Sequence, residues 1–463
     1  MNLSVKSFSM ICLYLGLVVG CPNVSAQGQD FWSPRHIALD TYTEPVPFLC
    51  DGNILLAYEL HITNMDPLPI SLASVEVIAD DSPTPAKTYS GEELTGSLTR
   101  IRVEGESDVV SKVVGGQRAI LHVLLSYIGK DALPRVLAHR IRYSFLKADG
   151  SEVEATVVGG TINVAQERQA VIIGPPLGEG IWLAIGSVSR RLLGHRRGAI
   201  RPQNGIPYQK ARYAIDFAEF DSTGVAYHGL LTTNENWVGY GAKVLAVSDG
   251  RVVSIRDGLP DSQPLDPDRL KSLTGETLGG NEIVLDIGND LFAFYGHLQP
   301  GSIVVQEGDQ VYMGQVLGRL GNSGNSDAPH LHFQINRVIP RRGEAVPYVF
   351  EEYEDLGVWD GNWVFNEAAV LEEMEAAVFE EMVDETIESM TQSWVREEEA
   401  GPAQAMLDSM TVSLLRSTMP KVSVDVGPAP KWLHALKEGG ERRRLEMPGS
   451  NAVIRFSYTP RRR

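Results

Sequence analysis

The stretch Ala328-Pro329-His330-Leu331-His332-Phe333-Gln334-Ile335 decides how this chain is read. Pro329 favours an extended backbone for the residue before it. On a strand, residues two apart project from the same face, so the imidazoles of His330 and His332 are expected to point into one cleft. Two histidines on one face can divide labour: one ligates a metal while the other moves protons or stabilises charge. Taken alone the pair is weak evidence, because strands hold such pairs by chance.

Working outward, Tyr295-Gly296-His297-Leu298 supplies a third histidine at a strand end, and Ala214-Ile215-Asp216-Phe217 supplies a carboxylate flanked by apolar residues. Hydrolytic zinc typically takes three protein ligands from His, Asp and Glu and leaves a position for water. The metal lowers the pKa of that water and polarises a scissile carbonyl. An Asp with one or two His is a suitable ligand set.

The surrounding residues, 211–350, read as short strands with very frequent glycine: Val244–Val247, Arg251–Ile255, Glu282–Asp286 and Leu291–Tyr295. Asp249-Gly250 predicts a tight hairpin between the first two. No helix of consequence is expected here. A carrier fold for lipoyl or biotin shares the Gly308-Asp309-x-Val311-x-x-Gly314-Gln315 pattern, but no suitably flanked lysine is present.

Six ordered blocks make this region similar to the M23 metallopeptidases, the LytM or lysostaphin-type domain. They are Ile215-Asp216-Phe217; Gly241 with Val244–Val253; Tyr295–Leu298; Gly308–Val311; Gly314-Gln315 with Gly321–Gly324; and His330–Phe333. The resemblance implies an antiparallel β-sheet core, one zinc ion and hydrolysis of peptide cross-links in peptidoglycan. It implies Asp216 and His332 as zinc ligands, His330 as the residue that activates water, and His297 as a stabiliser of the oxyanion or the water.

The pattern departs from the family at one position. Four residues before the aspartate, where the family has its first ligand histidine, stands Arg212. Arginine stays protonated and offers a metal no lone pair. Three readings follow. A histidine from elsewhere fills the place, His195 in the Gly-rich connector ahead of His228 in a loop. Or a catalytic histidine doubles as ligand. Or the domain is a catalytically degenerate module that binds or activates other cell-wall hydrolases.

The rest of the chain frames this site. With 463 residues, two or three domains are expected. Residues 28–165 alternate as strands, as in Arg140–Phe145, and predict an immunoglobulin-like β-sandwich. There His61, His122 and His139 read as packing or surface histidines. Residues 166–210 read as a connector, 211–350 as the peptidase-like domain and 351–463 as a carboxy-terminal extension. The fold class expected is mainly β, with one acidic helix: Val370, Leu371, Met374, Val378, Met382 and Ile387 form an amphipathic stripe.

The net charge of −18 argues against nucleic acid as a partner. Much of it sits in residues 366–400, where 12 acidic residues face a single arginine. Lys6, the apolar run Met10–Gly20 and the small residues Val24-Ser25-Ala26 predict an export signal covering residues 1–26, and hence a periplasmic or envelope location. Val18-Val19-Gly20-Cys21 alternatively offers a lipidation site at Cys21. No later run is long and apolar enough to suggest a membrane span. Cys50 alone would remain after cleavage, which excludes an internal disulfide and a Cys-rich zinc site.

Overall fold

The computed structural model describes residues 37–100, 111–147, 149–188, 194–196, 200–203, 205–337, 343–359 and 440–456. The expected export signal, residues 1–26, and the expected acidic helix of 366–399 lie outside them. The protein is mainly β, with one α-helix, Gly91–Ser97, among the described residues.

Two five-stranded sheets pack face to face near the amino terminus. One has strands Ile37–Asp40, Asn53–Asn64, Arg118–Tyr127 and Leu98–Arg100 in that order, with Phe48–Cys50 beside the second. The other runs Glu152–Asn163, Val136–Leu146, Ile70–Ala79 and Lys87–Ser90, with Lys112–Val113 at its side. Their shared core holds Leu56, Tyr58, Leu60, Val75, Val77, Leu121, Val123 and Ile141. These positions alternate along each strand, as a two-faced sheet requires.

Strand Asn53–Asn64 breaks the usual inside-outside pattern, because both of its faces are buried. Leu56, Tyr58 and Leu60 fill the sandwich, while Leu55 and Ala57 enter the core of the larger carboxy-terminal sheet. Glu59 lies on that second face and is 5% exposed. The sandwich is therefore docked on the rest of the protein through this strand.

The large sheet has twelve strands, and its central order is Ile181–Ile185, Ile215–Phe220, Leu331–Arg337, Leu291–Leu298, Asn281–Asp286 and Gly250–Arg256. It extends past residues 211–350 in both directions. Val171–Ile173 and Ile181–Ile185 join from the amino-terminal side, and Tyr348–Val358, Glu441–Glu446 and Ala452–Arg455 from the carboxy-terminal side.

The Asp249-Gly250 hairpin does not form. Lys243–Leu245 pairs instead with Val316–Arg319 in a separate two-stranded sheet, while Gly250–Arg256 pairs with Asn281–Asp286. The glycine serves close approach rather than a turn. A Cβ at Gly250 would sit 2.4 Å from the carbonyl oxygen of Asp286. Asp249 accepts a hydrogen bond from the backbone N–H of Met313, which ties the crossing segment to the far turn (2.9 Å).

Candidate metal and catalytic site

The central antiparallel pairings bring the quoted motifs together. Asp216 stands directly opposite His332, and His332 opposite Gly296, the residue before His297. On the other side Asp216 pairs with Ile185, next to Gly186. Three short motifs far apart in sequence thus meet on adjacent strands.

His332 Nδ1 lies 2.8 Å from Asp216 Oδ1, and His330 Nε2 lies 3.5 Å from the same oxygen. The His297 ring centroid is 4.8 Å from that of His330 and 5.8 Å from that of His332. His297 has φ +64, a conformation uncommon for a residue with a side chain. Such strain persists only where the surroundings fix it.

His195 comes to the same point from the connector. Its Nε2 is 3.0 Å from Asp216 Oδ2, and its ring packs edge-on against His332 with centroids 4.8 Å apart. That nitrogen is buried yet makes no hydrogen bond of good geometry. His195, Asp216 and His332 are the group able to hold a metal among the described residues, with donor atoms all within 4.8 Å of one another. Their side chains keep 21%, 18% and 16% of their surface open, although the Nε2 of His195 is itself buried.

His228 is elsewhere. It is exposed, and its Nε2 pairs with Asp221 Oδ2 at 2.8 Å. Arg212 is buried and turned to other business: it binds the carboxylates of Glu59 and Glu344.

Backbone carbonyls fix the tautomers. Asn336 Nδ2 donates to the carbonyls of Lys210 (2.7 Å) and Gly343 (3.1 Å). Its Oδ1 must then accept from Gln334 Nε2, at 2.6 Å. Gln334 Oε1 accordingly accepts from His332 Nε2–H, at 3.1 Å. His332 Nδ1 is left with a lone pair aimed at a carboxylate oxygen 2.8 Å away. Two electron-rich atoms at that separation require a proton or a cation between them. Supporting hydrogen bonds of this kind hold metal-ligating histidines in one orientation and tautomer.

The same logic applies to the other two histidines. The Ser323 carbonyl takes the Nδ1–H of His297 at 2.8 Å, and the Ala328 carbonyl takes that of His330 at 2.8 Å. Each neutral ring then carries its lone pair on Nε2. Burial, reinforced by His330 and His332, pushes His297 well below the ordinary histidine range and keeps it neutral. Burial would lower His330 too, but the Asp216 carboxylate outweighs it and the net shift is upward. Burial lowers His332 in spite of Asp216. Burial would raise Asp216, yet His195 and His330 hold it well below the usual carboxylate range.

Sequence reasoning missed Gln334 and Asn336. Their signal was present, since both follow His332 at steps of two on one strand face. It also missed Gly186, on which the His195 ring rests: a Cβ there would lie 2.9 Å from the ring.

Residues 237–346 match the model of peptidase family M23. The match includes His297, His330 and His332, whereas Asp216 and His195 precede it. Endolysin 2638A of Staphylococcus phage 2638A is 43% identical over 69 residues, 14% of this chain and 14% of the relative. Peptidoglycan DD-endopeptidase ShyA of Vibrio cholerae is 39% identical over 56 residues, 12% of this chain and 13% of the relative. The chain thus spans about one seventh of the length of these curated relatives. Among solved structures, a mutant catalytic domain of the prophage-encoded M23 protein EnpA from Enterococcus faecalis is 18% identical. It covers 38% of this chain and 93% of its own, with a TM-score of 0.23. The catalytic domain of lysostaphin from Staphylococcus simulans is 26% identical over 32% of this chain and 80% of its own, with a TM-score of 0.19.

Proposed function

We propose that this chain, which carries a domain of peptidase family M23, is an exported zinc endopeptidase that hydrolyses peptide cross-links of peptidoglycan. The observation that carries the reading is the convergence of His195, Asp216 and His332, with the buried Nε2 of His195 and the lone pair of His332 Nδ1 both facing one carboxylate. Two histidines and one aspartate suit zinc and leave a coordination position free. His195 takes the place that Arg212 cannot fill.

When bound, zinc supplies Lewis acidity, which acidifies a water molecule and polarises an amide carbonyl. His330 receives the proton of the attacking water at Nε2, because its Nδ1–H is committed to the Ala328 carbonyl. It later returns that proton to the leaving amine. His297, neutral and with Nδ1–H held by Ser323, orients the water as an acceptor at Nε2. This favours water positioning over oxyanion stabilisation, since a neutral His297 in this tautomer has no proton to donate from Nε2.

Metal analysis of the purified full chain together with cleavage of isolated peptidoglycan peptides tests the reading. One zinc per chain and cleavage are expected, and Asp216→Ala is expected to lose both. Zinc content near zero without cleavage would overturn it and leave a degenerate binding or activating module.

A further inference from the structure

The turn that presents His195 is short. Gly194–Arg196 form a single 3₁₀ turn, which has little internal hydrogen bonding to hold it. At three residues per turn, neighbouring side chains diverge by about 120°. His195 therefore faces Asp216 while Arg196 points into the amino-terminal sandwich.

Arg196 is 5% exposed and gripped on several sides. Its Nη2 donates to Glu59 Oε1 (2.9 Å) and to the carbonyls of Tyr58 (3.0 Å) and Val123 (3.2 Å), on two adjacent strands. Its Nε also reaches Glu59 Oε1, at 3.3 Å. Its own carbonyl accepts from Gln209 Nε2 at 2.5 Å.

The other oxygen of Glu59 binds Arg212, four residues before Asp216. One buried carboxylate thus bridges the two guanidinium groups. Two carboxylates, Glu59 and Glu344, face two guanidinium groups, Arg196 and Arg212. Burial would raise the Glu59 carboxyl, but Arg212 and Arg196 keep it well below its usual range, so it is ionised here. Charge clusters this deep add little net stability against apolar replacements, and their clearest use is to specify one geometry.

We propose that Glu59, reaching from the amino-terminal sandwich, is a positioning residue for the metal site, and that through Arg196 it seats the turn presenting His195. This rests on the reading of His195 as a ligand. It gives the sandwich a task in the chemistry: docking of strand Asn53–Asn64 completes the site that Arg212 leaves short of a ligand.

The test is zinc affinity of the full chain, measured by competition with a chromophoric chelator, across a cycle of Glu59→Gln, His195→Ala and the double variant. Glu59→Gln is expected to weaken zinc binding by roughly 10–100-fold, the usual effect of removing a group that orients a ligand. In the His195→Ala background it is expected to change nothing further. A purely structural role would lower the melting temperature equally in both backgrounds and leave no such difference. Should Glu59→Gln not fold, Arg196→Met carries the cycle, since it cuts the same clamp and leaves the Glu59–Arg212 pair intact. Wild-type affinity in a folded Glu59→Gln or Arg196→Met protein, or an equal loss in both backgrounds, would overturn the positioning role alone. Wild-type affinity in His195→Ala would overturn the ligand reading and the positioning role together.

Discussion

Replacing Gln334 by leucine separates what the hydrogen-bond relay does for the metal from what it does for the fold. Gln334 is 4% exposed and Asn336 1% exposed. The substitution strands Asn336 Oδ1, which water cannot reach, and removes the acceptor of His332 Nε2–H. An unsatisfied buried acceptor costs on the order of 2 kcal/mol of stability. The His332 ring is partly open, so its freed N–H can be rehydrated and adds less. The effect on metal is of similar size. Without Gln334 the His332 proton can move to Nδ1 and bond Asp216, the tautomer that blocks coordination. Loss of such a partner weakens metal binding by about 10–100-fold, or roughly 1.4–2.7 kcal/mol. Gln334→Glu is the contrast. It restores an acceptor for Nε2–H, and a stronger one, but sets a carboxylate against Asn336 Oδ1. Its zinc affinity is expected at or above wild type, with stability lowered as in Gln334→Leu. Chelator competition reads affinity and thermal unfolding of the metal-free protein reads stability. If both variants lost affinity equally, or neither did, the tautomer argument would be refuted.

Other outcomes follow from the same geometry. His330→Ala is expected to keep its zinc and lose turnover by ~10²–10⁴-fold, as removal of a general base does; paired metal analysis and peptide cleavage check this. Arg212→His is expected to gain no metal and to lose about 3–5 kcal/mol, because Glu59 and Glu344 are left without their shared buried cation; denaturant unfolding measures it. Gly186→Ala, at a glycine with φ +72, is expected to displace the His195 ring and weaken zinc binding in a folded protein, read by chelator competition. Acid weakens the junction in a definite direction. The folded-state pKa of Glu59 lies well below its ordinary value of 4.5, so its contribution is complete above that value and is lost as pH falls below it. Melting temperatures from pH 7 down to pH 3 should converge for wild type and Glu59→Gln.

The site was legible where it depends on local pattern. His330-Leu331-His332, Tyr295–Leu298 and Ile215-Asp216-Phe217 are strand segments, and strand pairing alone brings Asp216 opposite His332. Arg212 also declared itself, because no arginine ligates a metal. That His195 comes to the same carboxylate was legible only as a nomination, since a turn 21 residues before Asp216 carries no local mark of where it folds. The junction at Glu59 left no trace in the sequence. Its partners lie 137 and 153 residues away, and a strand glutamate reads as a solvated one until a second body covers it. Asp249-Gly250 misled for a related reason: the glycine is there for a neighbouring carbonyl rather than for a turn.

A crystal structure of the full chain grown with zinc, with anomalous scattering collected at the zinc edge, tests the central claim most directly. One zinc is expected, bound by His195 Nε2, an Asp216 oxygen and His332 Nδ1, with Arg212 still turned toward Glu59. Zinc held without His195, or no zinc at all at Asp216, would contradict it.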